Sequence, residues 1–113
     1  MSARVVFHLN TGHPDRHRAA LTSIANLLAE MPDATVELVI QGDALPLVEA
    51  ARSTLPLELE ALRARGVTVA VCRNTMRARG VSPEALLAGV EVVPSAVGEL
   101  VRRQLEGFAY LKP

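Results

Sequence analysis

Residues 67–80 read VTVAVCRNTMRARG. The first six are almost wholly apolar and read as a strand, 67–72. RNTMRAR reads as a helical turn or short helix, closed by Gly80. The segment holds the only cysteine, Cys72, at the point where strand turns to helix. It also holds Arg73, Arg77 and Arg79. With Arg63 and Arg65 these make five arginines between residues 63 and 79, with no acid among them.

The same strand-then-helix order extends in both directions. RVVFHL (4–9) is a β-branched run ending in the turn-rich NTGHPD. From Pro14 to Met31 the residues Ala20, Leu21, Ile24, Leu27, Leu28 and Met31 recur at helical spacing, with Pro14 suited to the first turn. TVELVI (35–40) is a second strand closed by QGD, and the pattern predicts a helix from Leu45 to Ser53. A further helix starts at Pro56, turns Leu59 and Leu62 inward and ends at Gly66. Ser82 and Pro83 predict the cap and first position of a small helix ending at Gly89. VEVV (90–93) is a fourth strand. In the amphipathic helix that follows, Val97, Leu100, Val101, Leu105 and Phe108 share one face, and Glu99, Arg102, Arg103 and Glu106 take the other. AYLKP supplies a short fifth strand.

Strands alternating with helices require crossovers. The expected fold is therefore α/β: a single domain over 1–113 with a mainly parallel five-stranded sheet and helices on both faces. In such sheets ligands bind beyond the carboxyl ends of the strands. Those ends are Asn10–His13, Gln41–Asp43, Cys72–Thr75 and Pro94–Ser95, so four loops converge near Cys72.

The totals narrow the function. Half of the 113 residues are hydrophobic, which predicts a packed core. Twelve cations balance twelve acids, and the aromatics are only Phe7, Phe108 and Tyr110. Neither feature suits a nucleic-acid partner. No apolar run approaches the roughly 20 residues of a membrane helix, and the N-terminus does not read as a signal peptide. A cytoplasmic protein without a membrane partner is the expectation. One cysteine can form neither an internal disulfide nor a Cys-rich metal site.

Cys72 carries two readings. A thiolate there would be stabilised by the free N–H groups of a helix start, at Asn74 and Thr75, and by Arg73, Arg77 or Arg79 turned inward. Alternatively it is a small buried residue, as free cysteines commonly are. A lone thiol has no resolving partner, which argues against dithiol redox chemistry. It can still carry a persulfide, a task needing an accessible nucleophile and no cofactor. His8 reads as a structural histidine on the face opposite Phe7. His13 and His17 have the i, i+4 spacing of metal ligands, but PDR between them does not complete HExxH, and no metal is expected. His13 is kept as a residue that could set the protonation state of the thiol. The five arginines read as an anion site or as a solvated face paired with acids from elsewhere.

The chain resembles the DsrE/DsrF-like sulfur-relay family. The resemblance is carried by VVFHL, SIANLL, VELVIQG, GVTVAVCRNTMRARGV and the closing GVEVVPSAVGELVRRQLEGFAYLKP. It implies a compact α/β fold with a cysteine at a pocket mouth. It further implies persulfide carriage between donor and acceptor proteins, and assembly as trimers or hexamers of like subunits. Cys72 matches the sulfur-accepting cysteine, and Arg79–Gly80 match the Arg-Gly that follows it. The competing reading is a binding or assembly module of the same fold in which Cys72 is packing.

Overall fold

The computed structural model describes residues 2–113. Five strands form one sheet: β1 (Arg4–Leu9), β2 (Thr35–Ile40), β3 (Thr68–Cys72), β4 (Glu91–Val93) and β5 (Ala109–Leu111). Their order is β4-β3-β2-β1-β5, and every neighbouring pair is parallel. Four α-helices connect them: α1 (Pro14–Glu30), α2 (Pro56–Ala64), α3 (Arg73–Arg79) and α4 (Ala96–Leu105).

Handedness explains which helix covers which face. From β1 to β4 the chain steps along the sheet in one direction. Right-handed crossovers then place α1, α2 and α3 on one side. That side holds the larger core, where Phe7, Leu38, Ile40, Val69 and Val71 meet Leu21 and Ile24 of α1, Leu59 and Leu62 of α2, and Met76 of α3. From β4 the chain reverses and returns to pair β5 with β1. The same handedness puts α4 alone on the opposite side, over Val6, Val39, Cys72 and Phe108.

Two expected helices are shorter than the sequence suggests, for one shared reason. The segment expected as a helix from Leu45 to Ser53 is a 3-10 helix, Gly42–Val48. The one expected from Pro83 to Gly89 is a single 3-10 turn, Pro83–Ala85, and Ser82 makes no side-chain cap. The chains after these turns bond to each other: Ala50 N–H to the Ala85 carbonyl at 2.9 Å and Leu87 N–H to the Val48 carbonyl at 2.8 Å. Glu49 and Leu86 form an antiparallel bridge there. Backbone groups used across the chain are lost to helix propagation.

The apolar face of α4 packs on the sheet only in part. Leu100 and Phe108 are buried, but Val97, Val101 and Leu105 are 63%, 56% and 83% exposed, and Glu99 is buried. The cause is Glu37. It lies in the middle of β2, points to the α4 side and is only 3% exposed. A buried carboxyl must be hydrogen-bonded, so the helix turns its charged groups to it. Arg103 Nε donates to Glu37 Oε1 at 2.9 Å and lies 3.3 Å from Glu99 Oε2. Arg102 Nη2 donates to Glu99 Oε1 at 2.7 Å, and Arg103 Nη1 to Glu106 Oε1 at 3.0 Å. The Arg103 guanidinium stands 5.1 Å over the Phe108 ring, which Arg4 also approaches, at 5.7 Å.

Burial and the hydrogen bond to Glu99 push the Glu37 carboxyl up to about 7, against the opposing pull of Arg103. Burial also works against a charge on Glu99. The bond from Glu37 and the guanidinium groups of Arg102 and Arg103 nevertheless hold it below the usual carboxylate range. Below about pH 7 Glu37 therefore keeps a proton that it shares with the Glu99 carboxylate. Because its folded value lies above the ordinary 4.5, the folded chain keeps a proton that the unfolded chain has released. The cost to stability is absent below 4.5, grows as pH rises to about 7, and persists above that. Glu37→Gln keeps the donor and cannot ionise. In thermal melts the variant should gain on the wild type as pH rises from 4.5 to 7 and stay several degrees ahead at about pH 8. A difference that does not change with pH would refute the shared proton.

Candidate functional site

Cys72 ends β3, where it pairs with Val93 of β4. The next residue along each strand leads to opposite sides of the sheet. After Cys72 the chain enters α3 at once. After Val93 it turns through Pro94 and Ser95 into α4. The carboxyl ends of β3 and β4 are thus a topological switch point, the place where open parallel sheets form a crevice. Two helices begin beside the sulfur. Cys72 is the N-cap residue of α3. Ser95 is the N-cap of α4, its Oγ accepting from Gly98 N–H at 3.0 Å.

The Cys72 side chain points to the α4 face, among Val6, Val39, Ala96 and Leu100, and is 3% exposed. It makes no capping hydrogen bond as a thiol, but the donors around it favour the ionised form. Burial pushes the thiol up. The N–H and hydroxyl of Thr75 and the N–H groups of Ala96 and Asn74 outweigh it, and the thiol lies below its ordinary range. The Thr75 hydroxyl is set by a neighbour: its Oγ1 accepts from Gly42 N–H at 3.0 Å. Its own proton is then free to point at sulfur. Gly42 reaches this position with φ of 58°, in the left-handed region that suits glycine.

The other residues expected near Cys72 stand in different places. Asn74 contributes through its backbone N–H. Arg73, Arg77 and Arg79 are exposed, and the main causes of the thiol's shift are burial and the donors of Thr75, Ala96 and Asn74. Arg79 Nη2 is bound to Asp43 Oδ1 at 2.7 Å. Arg63 is bound to Glu60, also at 2.7 Å. Part of the arginine cluster is therefore paired with acids from elsewhere. Gly80 takes the left-handed position that ends α3, with φ of 65°. His13 is the N-cap residue of α1, and it lines a cavity whose walls do not include Cys72. His17 is buried with Nε2 2.6 Å from the Thr11 carbonyl oxygen. Among the described residues, no group of three or more His, Cys, Asp or Glu is placed to hold a metal ion, and no helix is long and apolar enough to cross a membrane.

Two features escape a reading of the chain in order. The first is the Ala96 N–H, which favours the ionised sulfur from a helix starting 24 residues further on. Only the reversal of direction at β4 brings it there. The second is a polar row along the carboxyl edge on the α4 face. His8 Nδ1 lies 2.8 Å from the Tyr110 hydroxyl, and His8 Nε2 lies 2.8 Å from Gln41 Oε1. With both ring nitrogens occupied, His8 is a hydrogen-bonded structural histidine. Gln41 follows Ile40, which pairs with Val71, so the register sets Gln41 beside Cys72. The alternation of strand residues placed His8 on this face; its partners depend on strand order.

Comparison with known proteins agrees with this architecture. The chain matches the DsrE/DsrF-like family over residues 4–113. A search of curated proteins gives no match. Among solved structures, it is similar to MTH1491 from Methanobacterium thermoautotrophicum, a protein of unknown function. Identity is 35%, with 99% of this chain and 100% of that one covered and a TM-score of 0.95. The ychN protein from E. coli shares the fold at 21% identity over the whole of both chains, with a TM-score of 0.83. BT1422 from Bacteroides thetaiotaomicron, a conserved protein of unknown function, shares it at 16% identity over 97% of this chain and 94% of that one, with a TM-score of 0.77. With a parallel sheet whose β3–β4 switch point carries a lone cysteine between two helix starts, the chain belongs to the DsrE/DsrF-like family.

Proposed function

We propose that this protein is a single-thiol sulfur carrier. The observation that supports it is the set of donors around Cys72: N–H groups from Thr75, Asn74 and Ala96, and the Thr75 hydroxyl. These favour a thiolate, the nucleophilic form. In the first half-reaction the Cys72 thiolate attacks the outer sulfur of a donor persulfide. A sulfur–sulfur bond forms at Cys72, the donor's breaks, and the donor leaves as a thiolate that takes a proton. In the second half-reaction an acceptor thiolate attacks the outer sulfur and Cys72 returns as thiolate. No external oxidant or reductant is consumed. The burial of Cys72 adds one condition: transfer needs a local opening of the packing around the sulfur.

The same burial favours a second reading, in which the fold is a binding or assembly module and Cys72 is packing. Thiol titration separates the two. A carrier alkylates in the native state with a midpoint below the ordinary thiol range. Thr75→Val, which removes the hydroxyl and keeps the backbone N–H, should move that midpoint to higher pH and slow alkylation severalfold at neutral pH. Slow alkylation with a midpoint above about 8.5 in the wild type supports the module.

We also propose that the chain self-associates. Val97, Val101 and Leu105 make an exposed apolar stripe on α4, and Tyr110 of β5 lies on the same side of the sheet. Large apolar residues grouped this way mark contact surfaces, and a second copy brings an equal stripe. Val101→Asp should shift sedimentation toward the monomer without lowering the melting temperature of the isolated fold. A wild type that sediments as a monomer over the whole accessible concentration range would overturn this.

The direct test of carriage is mass spectrometry after incubation with a small-molecule persulfide. The wild type should gain the mass of one sulfur atom, located at Cys72, and release it to added thiol. Cys72→Ser should gain nothing. No uptake by the wild type, or equal uptake by the variant, would refute the proposal.

A further inference from the structure

A second concave site lies away from Cys72, between the carboxyl ends of β1 and β5. It is a cavity of about 290 Å³, and its walls include His8, Asn10, Thr11, His13, Arg16 and Lys112. Among the described residues no acidic side chain lines it, and Leu9 and Pro113 complete the wall. It holds two permanent cations, Arg16 and Lys112. Arg18, Arg52, Arg63, Arg79, Arg102 and Arg103 all lie within 4 Å of a carboxylate. Among the described residues, Arg16 and Lys112 have no such partner, in common with Arg4, Arg65, Arg73 and Arg77, and they are the two that share a cavity.

The site is partly organised. Lys112 Nζ donates to Asn10 Oδ1 at 2.6 Å, which fixes the ammonium at the wall and leaves it further protons to donate. Thr11 Oγ1 accepts from His13 N–H at 3.3 Å, so its hydroxyl proton remains available. The His8 ring is held in the floor by Tyr110 and Gln41. The members come from both ends of the sequence, and the pairing of β5 beside β1 brings them together.

We infer that this cavity binds a tetrahedral oxyanion, a phosphate or sulfate group, between Arg16 and Lys112. Arg16 offers a planar fork suited to two oxygens of one anion, and Lys112 a compact charge. Thr11 and His13 supply neutral or additional donors. The volume lies at the small end of ligand pockets. It has room for a free ion or a short phosphate ester. The site does not involve Cys72, so it stands or falls independently of sulfur carriage.

Isothermal titration calorimetry with inorganic phosphate, inorganic sulfate and glycerol 3-phosphate tests it. One saturable site is expected on the wild type and on Cys72→Ser alike. Arg16→Ala and Lys112→Ala should each weaken phosphate binding by about tenfold or more, the loss of a charge-assisted hydrogen bond. Arg65→Ala, at an exposed arginine outside the cavity, should leave it unchanged. Tighter binding of the ester than of phosphate supports the inference with an organic phosphate as ligand; equal binding supports it with the free ion. Amide shifts on phosphate addition provide a readout that needs no variant, and they should cluster at residues 8–16 and 110–113. No saturable binding of any of the three probes, shifts centred elsewhere, or an equal loss with Arg65→Ala would overturn it.

Discussion

The arrangement rests on the handedness of the crossovers. An L-polypeptide joins parallel strands by right-handed connections. A chain that moves one way along its sheet must keep its helices on one side, and a chain that turns back must change sides. Here the turn comes after β4. The change of side separates α3 from α4 at their first residues and leaves their unbonded N–H groups facing one another across the end of β3. Those groups would otherwise need water or capping side chains. Cys72 stands where both sets can reach one atom. The donor set around the sulfur is thus a result of strand order, and it needs no unusual backbone at the cysteine itself.

A second constraint sets how α4 lies on the sheet. Glu37 occupies a strand position that an apolar residue would fill at lower cost. Its presence obliges α4 to present Glu99 and Arg103 inward, and the apolar stripe of the same helix then faces out. One buried carboxyl therefore couples two properties that look unrelated: the chemistry under the helix and the greasy surface above it. Because Ala96 opens that helix, the seating of α4 on Glu37 also bears on the distance between its first N–H and the sulfur.

Much of this was legible in the sequence. Short apolar runs separated by helical patterns give the strands, and their alternation gives the parallel sheet. The end of β3 marks the crevice because Cys72 closes an apolar run immediately before a helix. What could not be read depends on contacts between distant segments. Residues 48–50 and 85–87 carry weak helical patterns, and nothing local reveals that they bond to each other. The periodicity of α4 correctly signals an apolar stripe, but a stripe does not say whether a sheet or another surface covers it. Glu37 was the available signal: an acid inside TVELVI needs a partner from the layer above. The cavity at the ends of β1 and β5 was invisible for a similar reason, since Lys112 reaches Asn10 only after β5 has taken the far edge of the sheet.

The path of α4 has a consequence for the order in which the chain is made. To carry the chain from β4 at one edge to β5 at the other, α4 passes over β3, β2 and β1. These strands precede it in synthesis, so a nascent chain can assemble most of its sheet before α4 exists. Until then Cys72 lacks the Ala96 donor and the covering helix. The sulfur acquires its folded environment only when α4 crosses and docks. Burial of the cysteine and docking of α4 are, in this topology, the same event.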